Sequence, residues 1–152
     1  MDIADTVSSI LAHKQVKNVW TVGPASTVYE AIQSMSDRNI GALPVMEGDQ
    51  LLGIVSERDY TRKVILKGRS SKETPVGEIM TTELTTVSSS VQVVACLQLM
   101  SDKRIRHLPV LEDGKMVGMI SIGDLVRCII SAQGALIDQL KDYVIGSYPD
   151  HS

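Results

Sequence analysis

TVGPASTVYEAIQSMSDRNIGALPVMEGDQLLGIVSERDYTRKVI, residues 21–65, occurs twice in this chain: moved on by 65 positions it lies without a gap on residues 86–130, TVSSSVQVVACLQLMSDKRIRHLPVLEDGKMVGMISIGDLVRCII. Seventeen of the 45 aligned pairs are identical, among them MSD (Met35–Asp37 with Met100–Asp102), LPV (Leu43–Val45 with Leu108–Val110), Gly53 with Gly118, Ser56 with Ser121 and Asp59 with Asp124. A fixed period of this kind means one supersecondary unit used twice.

Within each copy the apolar pattern changes from helical to strand-like and back. Val28, Ile32 and Met35, matched by Val93, Leu97 and Met100, put apolar groups on one helix face. Gly48-Asp49 and Asp113-Gly114 then separate two apolar runs as a hairpin requires. Each repeat reads β-α-β-β-α, an α/β (α+β) fold. LLGIVS is apolar almost throughout, which predicts a strand covered on both sides, by the other repeat and by helices. Two half-size units sharing a core about a pseudo-two-fold axis create two related clefts.

The LPV and G-h-h-S-x-x-D segments in this paired pattern resemble the CBS domain pair, or Bateman module, over residues 16–130. SERDYxRK (Ser56–Lys63), GRSS (Gly68–Ser71) and RIRHLPV (Arg104–Val110) resemble stand-alone CBS-pair proteins in particular. The resemblance implies two repeats packed sheet to sheet, residues 16–68 and 76–130, joined by a connector at 69–75. Helices flank them at 1–15 and 131–152. It implies a regulatory module that binds AMP, ATP, NAD(H) or S-adenosylmethionine and converts occupancy into a shape change, with no metal required. It also implies a homodimer and an unidentified protein target, in some plant members a thioredoxin system.

The candidate site residues are the two S-x-x-D motifs, Ser56-Glu57-Arg58-Asp59 and Ser121-Ile122-Gly123-Asp124, each at a strand end and helix start. Ser followed three residues later by an acid is also a near capping box, which holds a helix N-terminus whatever the protein does. Asp in place of Glu at the last position suits a ribose diol, and the helix amides suit phosphate, so capping and binding are compatible. Before LPV the first repeat has Gly41-Ala42 and the second Arg106-His107. Pseudo-symmetry predicts that each pair faces the S-x-x-D of the other repeat. Arg58 and Asp59 would then meet Arg106 and His107 in a basic, phosphate-binding cleft. Gly41 and Ala42 would admit a flat base beside Asp124. By resemblance Met80 and Thr81, entering the second repeat, give main-chain contacts to the base at Asp59, and the matching segment for the first repeat lies around Lys14–Trp20. Arg104 reads as a solvated helix end.

Composition narrows the function classes. A net charge of −3 argues against a general nucleic-acid binder. No apolar run approaches the ~20 residues of a membrane span, and Met1–Lys14 lacks the order of a signal peptide, so a cytoplasmic protein without membrane contact is expected. Cys96 and Cys128 read as small hydrophobes. No nucleophile–base pair, Walker loop or metal-ligand spacing is visible, which predicts a protein that is not an enzyme and has no catalytic residue. AMP and NAD(H) rank ahead of ATP. The rival reading is a ligand-free dimerisation module, possibly acting on a redox partner.

Overall fold

The computed structural model describes residues 5–14, 19–131 and 140–141. Its chain forms two compact units, one built around residues 16–88 and 109–119, the other around 89–108 and 120 onward together with the N-terminal helix. The expected C-terminal helical tail, apart from Leu140 and Lys141, lies outside the described residues.

In the first unit, helix α2 (Val28–Arg38) starts where Thr27 Oγ1 accepts the Glu30 N–H and ends at Asn39 in the left-handed region. That is the short polar residue best suited to a left-handed helix end after glycine. Its buried face is Val28, Ala31 and Met35, turned slightly from the predicted one, so that Ile32 packs at the margin of the core. Strands β1 (Ala42–Glu47) and β2 (Gln50–Ser56) form an antiparallel hairpin around Gly48, whose φ of 59° needs glycine's freedom. A bulge between Val45 and Met46 shifts the register, leaving Leu52 as the extra residue. β2 buries Gly53 and Val55 and half-buries Leu51, Leu52 and Ile54. The prediction of a strand fully covered on both sides therefore gives way to the alternation of a half-covered one.

The first strand of each repeat is the other departure. It is reduced to one parallel bridge, Val22 to Val45 in the first repeat and Val87 to Val110 in the second. Val22 donates to the Pro44 carbonyl and accepts from Met46 N–H. The next rung toward the N-terminus would need an N–H on Pro44, and the next toward the C-terminus one on Pro24, so the ladder cannot lengthen either way. Pro109 imposes the same stop on Val87, which donates to its carbonyl at 3.1 Å.

At the opposite edge, β2 meets the segment that leads into the second repeat. Ile54 and Thr81 exchange both backbone hydrogen bonds, at 3.0 and 2.8 Å. The approach is close enough that a Cβ on Gly53 would lie 2.7 Å from the Thr81 carbonyl oxygen and 3.0 Å from Met80 Sδ. Ahead of it, the connector is stitched to α2 through Val28 N–H to Thr74 O and Tyr29 N–H to Ser71 O. The core here is Val28, Ala31, Met35, Leu43, Val45, Val55, Val64, Val76 and Ile79, with no aromatic residue among them.

In the second repeat, α4 (Val93–Lys103) buries Val93, Cys96 and Met100, the counterparts of Val28, Ala31 and Met35, and ends on Arg104 at φ 55°. Arg104 is a helix end, as read from the sequence, but a left-handed one that costs an L-residue some strain. β3 (His107–Glu112) and β4 (Lys115–Ser121) pair as a hairpin whose loop residues, Asp113 and Gly114, both have positive φ, the pattern of a type I′ turn. Residues 122–131 follow as helix α5. Helix α1 (Val7–His13) buries Val7 and Ile10 and is joined to the segment before α4 by Val7 N–H to Val91 O, Ser8 N–H to Ser89 O and Val93 N–H to Asp5 O.

Gly53→Ala pushes a methyl into a main-chain oxygen that cannot step aside, so it should destabilise by roughly 1 to 3 kcal/mol. Gly123→Ala is the control: its new Cβ meets the flexible end of Arg127 at 3.4 Å and the Ser121 hydroxyl at 3.6 Å, ordinary van der Waals contacts, and alanine favours the helix, so stability should hold or rise by roughly 0.5 kcal/mol. Urea midpoints of the two variants check the pair; equal losses would contradict the close-approach argument.

Candidate functional site

Both S-x-x-D motifs sit at a strand-to-helix junction, and both aspartates are buried, Asp59 at 6% exposure and Asp124 at 8%. In the first, β2 ends on Ser56, the N-cap of α3 (Glu57–Tyr60). Asp59 N–H donates to Ser56 Oγ at 3.2 Å, while the Ser56 N–H and hydroxyl donate to Asp59 Oδ2 at 2.9 and 3.0 Å. Asp59 Oδ1 accepts from Thr81 Oγ1 at 3.1 Å and pairs with Lys63 Nζ at 2.9 Å. Lys63 also donates to the Ile79 carbonyl at 2.9 Å, tying the lead-in segment of the second repeat to the aspartate of the first. After α3 the helix widens into a π-helical turn, Thr61–Ile65, which carries Lys63. Such turns are rare and cluster at functional sites.

The second motif repeats the box, with Ser121 N–H to Asp124 Oδ2 at 2.9 Å and Asp124 N–H to Ser121 Oγ at 3.2 Å. Its cations differ. Lys14 Nζ lies 3.0 Å from Oδ2 and Arg127 Nη2 lies 2.7 Å from Oδ1. Burial pushes the Asp124 carboxyl up, but the Ser121 N–H, the Lys14 ammonium and the Ser121 hydroxyl outweigh it and hold the group below its ordinary value of 3.8. Burial lowers the pKa of His107; Asp124 opposes this, while Lys14 and Arg106 add to it, and the net result is below 6.5. His107 is thus within electrostatic reach of Asp124, Lys14 and Arg106.

The main-chain contacts before LPV lie within each repeat. Arg106 accepts the Ile122 N–H through its carbonyl at 2.8 Å, and Gly41 accepts the Glu57 N–H at 3.1 Å. Each residue pair before LPV therefore sits beside the S-x-x-D of its own repeat. The reason is the hairpin: Ala42 is the register partner of Ser56, so the start of one strand necessarily lies next to the end of the other. Arg106 and His107 accompany Asp124, and Gly41 and Ala42 accompany Ser56. Of the remaining candidates, Thr81 touches Asp59 by its side chain, Met80 packs beside Gly53, and Arg58 is exposed.

Three residues escaped the sequence reading. Lys63 stands four residues after Asp59 and Arg127 three after Asp124, both helical pairing distances that could have flagged them. Lys14, expected only as the start of a lead-in segment giving main-chain contacts, carries no local signal for a side-chain role, being 110 positions from its partner. Among the described residues no group of three or more His, Cys, Asp or Glu could hold a metal ion. No helix among them is long and apolar enough to cross a membrane. Cys96 is buried and burial raises its thiol pKa; Cys128 is half-buried, its Sγ 3.4 Å from Asp5 Oδ2, and burial and the Asp5 carboxylate raise it likewise.

The chain resembles known proteins over most of its described length. The sequence matches the CBS domain family over residues 7–65 and again over 76–131, so the first match includes α1. A mitochondrial CBS domain-containing protein of Arabidopsis thaliana, CBSX3, is 50% identical over 127 residues, 80% of this chain; the chain spans 62% of that relative's length. Its mitochondrial name leaves the cytoplasmic expectation without support. The structure of a putative signal-transduction protein with CBS domains from Burkholderia ambifaria is 49% identical, with a TM-score of 0.81 over 84% of this chain and 96% of that one. The CBS domain pair of protein MJ0100, solved with 5′-methylthioadenosine and S-adenosyl-L-methionine, is 25% identical, with a TM-score of 0.74 over 85% of this chain and 98% of that one. With the repeat, the two hairpin–helix units, the duplicated capping boxes and these likenesses in agreement, the chain belongs to the CBS-domain family and carries two such domains in tandem.

Proposed function

We propose that this chain is a non-catalytic regulatory module that binds an adenosine nucleotide, AMP or NAD(H) ahead of ATP, at its S-x-x-D motifs and signals occupancy by a change of shape. The observation that carries the reading is the duplicated buried aspartate, placed at a helix start beside a cation. A carboxylate there can accept ribose hydroxyls while helix amides and cations meet phosphate. The adenosine ligands of the MJ0100 domain pair point to the same ligand class. At the first motif the residues are Ser56, Arg58 and Asp59 with Gly41, Ala42, Met80 and Thr81. At the second they are Ser121 and Asp124 with Arg106 and His107. Occupancy at Asp59 has a ready output, because Lys63 joins that carboxylate to the Ile79 carbonyl: a ligand that displaces Lys63 loosens the segment leading into the second repeat.

A second reading, a ligand-free homodimerisation module with a protein target, draws on one observation. Ile122, Val126 and Ile130 recur at i+4 spacing on α5 and are 40, 44 and 61% exposed, an apolar stripe at the first repeat's Glu57, Thr61 and Ile65 positions. Native mass spectrometry of freshly purified protein separates the two: a copurified adenosine ligand supports sensing, and bare dimers support the alternative.

Asp59→Asn keeps a good capping group and nearly the same volume but removes the charge. The lost pair with Lys63, whose side chain is 44% exposed, should cost no more than about 1 kcal/mol. Affinity for AMP should fall by one to two powers of ten, since charge-assisted bonds contribute roughly 1.5 to 3 kcal/mol. Calorimetric titration showing normal AMP affinity in a folded Asp59→Asn protein would reduce Asp59 to a cap.

His107 supplies a pH signature. Its folded pKa lies below 6.5, so as pH drops through 6.5 the unfolded chain takes up the proton first and the folded state loses stability. Asp124 adds a second loss only at much lower pH, below 3.8, as its folded value is passed. A bound phosphate chain favours the imidazolium, so stabilisation by NAD(H) should grow as pH falls from 7 to 5.5. Melting curves across that range, with and without NAD(H), should show both trends, and His107→Asn should flatten both.

A further inference from the structure

The two aspartates differ in how they are covered. At Asp59 the ammonium among the described residues is Lys63, which divides itself between Oδ1 and a main-chain carbonyl. At Asp124 both oxygens carry a cation, Arg127 on Oδ1 and Lys14 on Oδ2, and Oδ2 also accepts the Ser121 N–H. Arg106 adds a third positive charge within electrostatic reach of His107 in the same cluster. Two permanent cations thus pair with one buried carboxylate and a third acts on the neighbouring His107, an arrangement that invites an anion.

Covering both oxygens has a chemical consequence. A ribose diol at Asp124 needs an acceptor that Lys14 and Arg127 already occupy. A neutral nucleoside can take that place only by leaving an ammonium without its counter-charge, whereas a nucleotide brings phosphate oxygens to which the same ammonium can move. Lys14 is suited to the exchange: its side chain is 29% exposed, and a lysine presents three donors on a flexible stem.

Resting on the reading that Asp124 holds the ribose of a nucleotide, we propose that Lys14 is the specificity-determining residue of that site. It covers Asp124 when no phosphate is present and passes to the phosphate chain when a nucleoside di- or triphosphate binds. The site then discriminates by phosphate charge rather than by base. Asp59, covered by one lysine that is also held by the Ile79 carbonyl, discriminates less.

Calorimetric titration of the full chain with adenosine and with ADP, for wild type, Lys14→Gln and Lys14→Arg, tests this. Wild type should prefer ADP. In Lys14→Gln adenosine should bind more tightly and ADP more weakly, compressing the ratio by about tenfold or more, the scale of one charge-assisted contact. Lys14→Arg keeps the charge and should keep the preference, and it guards against a folding defect in the neutral variant. An unchanged ratio in Lys14→Gln, equal losses for both ligands, or loss of the ADP preference in Lys14→Arg would each overturn the assignment of Lys14 alone. Failure of wild type to bind adenosine, ADP, AMP or NAD(H) would instead remove the nucleotide reading on which it rests.

Discussion

A carboxylate buried at the junction of a strand and a helix must have every lone pair answered, because an unpaired buried charge is among the costliest features a fold can carry. Asp59 and Asp124 are both in that position, and the local backbone answers only half of the need. The reciprocal box with Ser56 or Ser121 satisfies one side of each carboxylate and anchors the first turn of the following helix. The other side must be answered from elsewhere. That requirement recruits Lys63 and Thr81 to the first aspartate, Lys14 and Arg127 to the second, and with them the chain segments that carry those residues.

The same constraint explains how a duplicated unit acquires two different sites. The frame is held in common: Val28, Ala31 and Met35 fill the place of Val93, Cys96 and Met100, and both hairpins keep LPV buried at the centre. The cations are not held in common. Lys63 corresponds to Cys128, and Arg127, which pairs in the second repeat, corresponds to Arg62. The helical partner moves by one position, from i+4 to i+3, and stays on Oδ1, while Lys14 adds a cation on Oδ2 of Asp124, so the surrounding positive charge changes while the box stays intact. The two repeats diverge at the rim of the aspartate, where substitution leaves the core packing untouched.

The hairpin is the other organising element. Because an antiparallel pair places the first residue of one strand opposite the last of the next, the residues before LPV are committed to their own repeat's S-x-x-D. Strand register is a local rule, acting within one repeat. The prolines act in the same local way. Pro44 and Pro109 sit inside strands without breaking their hairpins, yet they withhold the N–H that a third parallel strand would need, which shrinks that strand to a single bridge.

Much of this was open to reading in the chain itself. The period of 65, the alternation from helix to hairpin to helix, the glycine-bearing turns and the Ser-x-x-Asp boxes are all local patterns, and a local pattern is written in consecutive residues. The helix faces were legible to within one position, with Ala31 and Cys96 taking the centre that Ile32 and Leu97 were expected to hold. What the residues alone determined, then, was the repeat, the class of fold and the two aspartates. Tertiary structure decided which charges meet those aspartates. Lys14 reaches Asp124 across 110 positions of chain, and Thr81 reaches Asp59 only because Gly53 lets the lead-in segment lie against β2. Contacts of that kind depend on where folded segments come to rest in space, and no spacing between residues encodes it.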